Sequence, residues 1–283
     1  MAEIWKGAPA AQAITEGLAD RAAQLRERGV VPTLAIVRVG ERPEDLAYER
    51  GALKRCEKVG VTPRVFALPA DASQEALLEV IHEINGDSGI HGCLLFRPLP
   101  RHMDEEAVRR ALSPAKDVDG ITDGSLAGVF AGSAQGFPPC TAQACLELLR
   151  HYGCDPAGKR AVVVGRSLVI GRPVALLLLQ ANATVTVCHT KTRDMAEICR
   201  QADILIVAAG RAGVVDASFV SPGQVVLDVG VNAGPEGQLL GDVDFASVEP
   251  IVDAITPVPG GVGAVTSTVL CAHVVEAAER ALP

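Results

Sequence analysis

Four aliphatic segments in the C-terminal half of the chain, AVVVG (161–165), TVTVC (184–188), ILIVAAG (204–210) and QVVLDVGV (224–231), constrain the fold more than any other feature. A strand with one solvated face alternates apolar and polar residues, as TVTVC does, whereas the other three runs are nearly continuous in Val, Ile and Leu. That pattern belongs to strands covered on both sides. Their spacing of about 20 residues leaves room for one crossover helix between successive strands, the repeat of a doubly wound nucleotide-binding domain.

The N-terminal half repeats the alternation. Ile14, Leu18, Ala22 and Leu25 recur at helical spacing and Gly29 ends the helix. A strand TLAIVRVG (33–40), a helix through the forties and fifties, a strand RVFAL (64–68), a helix from Ser73 to Asn85 and a strand GCLLF (92–96) follow. The segment DGSLAGVFAGSAQGFPPC (123–140) reads as a loop and as the domain boundary. TAQACLELLRHYG is then a helix with a glycine stop, and a last helix runs from Thr266 to Ala281. The fold class is therefore α/β in two α/β domains, the C-terminal one a Rossmann-type parallel sheet. The expected boundaries are 1–139, completed by a terminal helix over 266–283, and 140–265.

With 283 residues, 48% of them apolar and only 3% aromatic, the core has to be built from Val, Leu, Ile and Ala. A net charge of -8 argues against a nucleic-acid binder, which needs a basic surface. The start MAEIWKGAPAAQ has no apolar targeting core, and the longest aliphatic run, VALLLL (174–179), is far too short to span a bilayer. The eight cysteines show no C-x-x-C spacing and read as free, buried thiols. The histidines are scattered, so no metal-ligand cluster is expected. A cytoplasmic protein without membrane or nucleic-acid partners is the expectation.

Within AVVVGRSLVIGRP (161–173) a buried strand runs into Gly165, but Arg166 and Ser167 follow where G-x-G-x-x-G would place its second glycine, and the next glycine is Gly171. A strand-turn-helix leaves unpaired N–H groups that suit a phosphate. At the end of the next strand, CHTKTRD puts His189, Thr190, Lys191 and Arg193 where an NAD-binding domain carries an acid. Hydroxyl and cationic groups there, with Arg166, favour a ribose bearing a 2′-phosphate, hence NADP.

KDVDG (116–120), GFPPCT (136–141), VVVGRSLVIGRP, ATVTVCHTKT (183–192) and TPVPGGVG (256–263) together, in order and spacing, resemble the methylenetetrahydrofolate dehydrogenase/cyclohydrolase family over nearly the whole chain. The resemblance implies NADP and tetrahydrofolate one-carbon derivatives as ligands, a cleft between two α/β domains, and a homodimer. It implies that Gly165, Arg166, Ser167, Gly171, Thr190 and Val231 contact the cofactor, with Arg166 on the 2′-phosphate. Tyr48, Leu95, Asp119, Pro259, Gly260 and Gly261 become folate contacts, with Tyr48 and Asp119 the catalytic pair. A carboxylate at 119 suits an aminopyrimidine edge, since it accepts from two donors together.

The chain departs from the family in AYERGALKRCEKVG (47–60), where Y-x-x-x-K is expected and Ala52 stands in place of the proton-shuttling lysine. Position 52 lies about 40° round the helix from Tyr48 and one turn along, on the same face. Lys54 lies roughly 240° round, and Arg55 about two turns along, with a guanidinium that does not give up its proton. The family strand G-I-L-V-Q-L-P-L-P is here GCLLFRPLP (92–100), so Phe96 replaces the glutamine that bonds the lysine. Both members of one polar pair are apolar. The expectation is an NADP-dependent dehydrogenase with weak or absent cyclohydrolase activity. The alternatives are a bifunctional enzyme hydrolysing through Arg55, Lys54 or a water relay, a noncatalytic folate- or nucleotide-binding protein, and a different NADP-dependent dehydrogenase on a similar scaffold.

Overall fold

A computed structural model of the chain describes residues 1–282. In chain order the elements are β1 (Glu3–Ile4), α1 (Gly7–Glu27), β2 (Thr33–Val39), α2 (Pro43–Val59), β3 (Thr62–Leu68), α3 (Gln74–Gly86), β4 (Gly92–Leu95), α4 (Glu105–Ala111), α5 (Asp123–Ala131) and α6 (Cys140–His151). They continue with β5 (Arg160–Val164), α7 (Gly171–Gln180), β6 (Thr184–Cys188), α8 (Met195–Arg200), β7 (Ile204–Val207), β8 (Val225–Asp228), β9 (Asn232–Ala233), β10 (Leu239–Leu240), α9 (Phe245–Val248), β11 (Ala254–Ile255) and α10 (Gly263–Arg280). The chain falls into two compact units, Met1–Gln12 with Thr141–Thr266, and Ala13–Cys140 with the chain from Ser267 onward.

The unit holding 141–266 is built on a six-stranded sheet in the order β1-β11-β8-β7-β5-β6, parallel at every pairing. The chain starts it at β5, steps to β6, then returns to β7 on the other side, which makes the carboxyl ends of these strands a topological switch point. Val162, Val164, Leu205, Val207 and Val226 belong to one core cluster. Residues 161–164 and 204–207 are buried throughout, as their unbroken aliphatic composition demands. The first twelve residues also belong here rather than with 13–139, because β1 adds to the sheet edge against β11, pairing Glu3 with Ala254 and Ile4 with Ile255. Two-residue strands carry no periodicity, so neither was visible beforehand.

The other unit carries a three-stranded parallel sheet in the order β3-β2-β4. Val37, Cys93 and Leu95 from the sheet pack with Leu77, Ile81 and Ile84 of α3 and Val108 of α4. Arg21 of α1 forms a two-pronged ion pair with Glu279 of α10, at 2.8 and 2.7 Å. The segment 123–140, expected as a loop, is helical over its first nine residues. Thr122 caps this helix by accepting the Ser125 N–H at 3.1 Å, and Gly132 ends it in the left-handed conformation. Its small residues let another segment close on it: a Cβ at 128 would lie 2.0 Å from the Gln135 carbonyl oxygen.

The turn from β5 to α7 depends on two glycines for packing. Gly165 has φ +133° and a Cβ there would meet the Ala208 carbonyl oxygen at 2.1 Å, while a Cβ at 171 would meet the Gly165 oxygen at 2.3 Å and the Arg166 nitrogen at 2.7 Å. All of these are main-chain atoms that cannot swing aside. Gly171→Ala is therefore expected to destabilise the protein by about 1–3 kcal/mol, read as a lowered midpoint in thermal unfolding; an unchanged midpoint would show that the helix start has slack.

Candidate active site

The unit holding α2 gathers one group of side chains. Pro43 opens α2 and Gly60, with φ 83°, stops it. Tyr48, Ala52 and Cys56 follow at intervals of four, and Ala52 is only 3% exposed. Tyr48 is 46% exposed as a residue, and its ring meets Phe96 edge-on, with centroids 5.7 Å apart at 73°. Phe96 sits one residue beyond β4 and continues its ladder by donating its N–H to the Val37 carbonyl at 2.9 Å. Leu95 points the other way: its side chain is 2% exposed in the core cluster with Cys93, and offers no surface to a ligand.

The KDVDG loop lies against the same strand, the Cys93 N–H bonding the Lys116 carbonyl at 2.7 Å. Asp117, fully buried, accepts from the N–H groups of Ile121 (3.0 Å) and Thr122 (2.7 Å) and from the Ser125 hydroxyl (2.6 Å). That leaves Asp119 as the loop acid not consumed by main chain. Its carboxyl is pushed up to about 6, first by desolvation, against the pull of Arg97, with Asp117 raising it further and a bond to the Cys140 thiol lowering it. The Tyr48 hydroxyl is raised above its ordinary value, chiefly by desolvation of that end of the side chain and then by Asp119. Tyr48 and Phe96 are thus in ring contact, with Asp119 within electrostatic reach of Tyr48 and Cys140. The sequence reading missed Cys140, whose Sγ also lies 3.2 Å from the Val118 carbonyl oxygen, so its single S–H is given either to that oxygen or to Asp119.

Among the described residues, neither cation near position 52 forms a hydrogen bond with Tyr48. Lys54 is exposed. Arg55 reaches the Thr15 hydroxyl of α1 at 3.3 Å.

In the other unit, the residues expected at a cofactor lie at the carboxyl ends of the sheet strands, where ligands of open α/β sheets bind. Gly165, Arg166 and Ser167 follow β5, Thr190 follows β6, and Val231 follows β8. Arg166 is exposed and has no side-chain partner among the described residues. Ser167 is not idle: its Oγ accepts the N–H groups of Ile170 (3.2 Å) and Gly171 (3.4 Å), and its carbonyl takes that of Arg172 (3.0 Å). Three donors of the helix start are therefore already satisfied, and what Ser167 still offers is its own O–H. The 189–192 turn closes on itself, with the His189 N–H on the Thr192 hydroxyl at 2.9 Å, and leaves Thr190, Lys191 and Arg193 exposed.

Asp228, absent from the expectations, holds the Val231 loop. It is buried and accepts the N–H groups of Gly230, Asp242 and Val243, each at 3.0 Å. Desolvation nevertheless pushes its carboxyl up to about 6. In PVPGGVG, Pro259 and Gly260 are exposed, whereas Gly261 is buried and a Cβ there would lie 2.5 Å from the Pro257 oxygen. The Gly260 carbonyl accepts the Gly7 N–H at 2.8 Å, which pins this turn.

Residues 5–119 match the catalytic domain of tetrahydrofolate dehydrogenase/cyclohydrolase, and residues 139–282 match its NAD(P)-binding domain. The chain belongs to the tetrahydrofolate dehydrogenase/cyclohydrolase family. Within that family it is similar to the bifunctional protein FolD of Carboxydothermus hydrogenoformans, 53% identical over 281 residues that cover 99% of this chain and 98% of the relative. The FolD of Clostridioides difficile is 48% identical over 275 residues, covering 97% and 96%. Among solved structures, the bifunctional FolD methylenetetrahydrofolate dehydrogenase/cyclohydrolase of Campylobacter jejuni superposes with a TM-score of 0.96 at 37% identity, covering all of both chains. The Trypanosoma brucei FolD, solved with NADP and an inhibitor, gives 0.91 at 36% identity over 99% and 98% of the two chains.

Proposed function

We propose that this family member oxidises 5,10-methylenetetrahydrofolate to 5,10-methenyltetrahydrofolate with NADP as hydride acceptor, and that its cyclohydrolase activity is weak or absent. The observation that carries the second half is position 52. A small, buried alanine occupies the turn next to Tyr48, and the Phe96 ring packs on Tyr48 where a polar partner for a lysine would stand. Hydride transfer does not need that lysine. The product cation is delocalised over the two nitrogens flanking the reacting carbon, so no proton leaves it, and alignment of the bound partners is most of the task. Tyr48 provides a ring face for stacking, and Asp119 an acceptor for the aminopyrimidine edge.

In this reading the unit of residues 13–140 and the chain from Ser267 onward serves as the folate domain, and the unit of residues 1–12 and 141–266 as the cofactor domain, in a cytoplasmic homodimer. Bound NADP supplies the hydride-accepting ring; the chain orients it through Gly165, Arg166, Ser167, Gly171, Thr190 and Val231. NADPH absorbance should rise when methylenetetrahydrofolate is added, with the methenyl product accumulating in step. No NADPH formation would point to a noncatalytic binding protein.

The exposed, unpartnered Arg166 is the candidate for the 2′-phosphate. Removing one charge-assisted bond of this kind costs about 1.5–3 kcal/mol, so Arg166→Ala should raise the KM for NADP about 10–100-fold and leave that for NAD nearly unchanged. An unaltered NADP-to-NAD preference would remove Arg166 from this role. A second reading, full bifunctionality, draws on the relatives at 53% and 48% identity, which carry the name bifunctional protein FolD.

A further inference from the structure

Asp119 stands between two residues that the fold locks in place, and the lock on one side comes from α10. Val118, fully buried, occupies the space a side chain at 92 would need: a Cβ there would lie 2.6 Å from one Val118 methyl, 2.8 Å from the other and 3.1 Å from Val274 of α10. The Val118 carbonyl oxygen lies 2.8 Å from Nδ1 of His273, also on α10, and 3.2 Å from the Cys140 Sγ. His273 is buried, and desolvation holds its pKa below the ordinary value, so the ring is neutral at pH 7 and carries one proton. A carbonyl only accepts, which puts that proton on Nδ1. The imidazole is held in turn by the Phe137 ring, with centroids 5.0 Å apart, and Phe137 lies under the Arg280 guanidinium, 4.3 Å from the ring centroid. On the other side of Asp119, Gly120 has φ +70° and a Cβ there would meet the Pro139 nitrogen at 2.4 Å.

We propose that His273 is a positioning residue of the folate half-site: its Nδ1–H, given to the Val118 carbonyl, fixes the peptide plane that carries Asp119 and thereby where the Asp119 carboxylate stands. The proposal rests on the folate reading of Asp119 given above. The carbonyl of 118 and the nitrogen of 119 belong to one planar unit. Holding that oxygen against rotation sets the direction in which the chain reaches the Asp119 Cα. Asp117 is tied to main-chain donors and Val118 is packed, so the aim of Asp119 depends on this plane. A histidine that merely filled space would need no donor, and the two roles differ in which replacement suits position 273. Asparagine carries its Nδ2 donor the same number of bonds from Cβ as Nδ1. Glutamine is nearer to histidine in size but carries its donor one atom further out, and leucine fills the space with no donor at all.

The test is steady-state oxidation of methylenetetrahydrofolate by wild type, His273→Asn, His273→Gln and His273→Leu, with carboxyl-carbon NMR of the same ligand-free proteins, the Asp119 signal being assigned from Asp119→Asn. Losing the hydrogen bond should raise the KM for the folate about 3–10-fold in His273→Leu and His273→Gln, with kcat and the KM for NADP close to wild type. His273→Asn should restore most of the folate KM although it is the smallest of the three. The Asp119 signal should shift or broaden in the Leu and Gln proteins and return toward wild type in the Asn protein. In an Asp119→Asn background His273→Leu should add little to the folate KM, because the group it positions is gone. A folate KM that follows size, with Gln and Leu nearer to wild type than Asn, or that rises equally in both backgrounds, would overturn the positioning role. The Asn and Gln proteins decide the matter even if His273→Leu does not fold. Absence of turnover by wild type would instead sink the folate reading, while the ligand-free Asp119 signal would still decide whether His273 sets that side chain; a signal unchanged in every variant would mean that it does not.

Discussion

Methenyltetrahydrofolate mixed with the purified protein should open to formyltetrahydrofolate no faster than it does in buffer. Ring opening needs water to attack the bridging carbon and protons to move as the bond breaks, and a positioned acid–base group typically contributes 10²–10⁴-fold (about 3–5 kcal/mol) to such a step. On the Tyr48 face of α2 the position one turn along is Ala52, 3% exposed, and Phe96 fills the space beside the tyrosine. Arg55 is spent on Thr15, and its guanidinium does not release a proton near neutrality. The loss is expected to be confined to hydrolysis, with NADP-dependent oxidation intact in the same preparation. Loss of methenyl absorbance more than about tenfold above the buffer rate, within the range a weak general acid or base supplies, would mean that another group has taken over and that the bifunctional reading holds. Restoring Lys at 52 with Gln at 96 should raise hydrolysis more than either change alone, since each polar group needs the other when buried.

Much of this was legible from residue order because burial on both faces leaves a plain trace. The strands at 161–164 and 204–207 needed no more than their aliphatic runs, whereas α2 was legible only as a helix through the forties and fifties, its ends at Pro43 and Gly60 coming from the structure. The helix at 123–131 was not legible, because its glycines read as loop-forming until the contact between Gly128 and the Gln135 backbone is known. Side-chain direction explains the fate of individual site residues. Leu95 and Phe96 are adjacent in an extended segment and so face opposite ways, which places Leu95 in the core and Phe96 on Tyr48. Ser167 looked like a ligand contact and also ties down the start of α7, since its hydroxyl oxygen reaches the N–H groups of Ile170 and Gly171. Asp117 and Asp228 were invisible for a common reason: their partners are main-chain donors brought near only by the folded loops.

Replacing Asp119 should separate activity from stability. In the proposed complex its carboxylate accepts two donors of the pterin edge, and hydrogen bonds to a charged group are worth about 1.5–3 kcal/mol each. Asp119→Asn keeps the shape but turns one acceptor into a donor, so kcat/KM should fall by roughly 10²–10³-fold. The same substitution should stabilise the ligand-free protein at neutral pH. Because the native carboxyl titrates at about 6 instead of the ordinary 3.8, the folded state binds more protons than the unfolded state between those values. Stability contributed at this site therefore declines as pH rises through that window and stays reduced above it. The ceiling is about 3 kcal/mol, two units at 1.36 kcal/mol each. Asparagine has no proton to lose, so the advantage of the variant should be largest above pH 6 and vanish below about pH 4. Unfolding midpoints of both proteins measured across that range provide the check. Equal midpoints at neutral pH would mean that Asp119 is solvated like an ordinary surface acid.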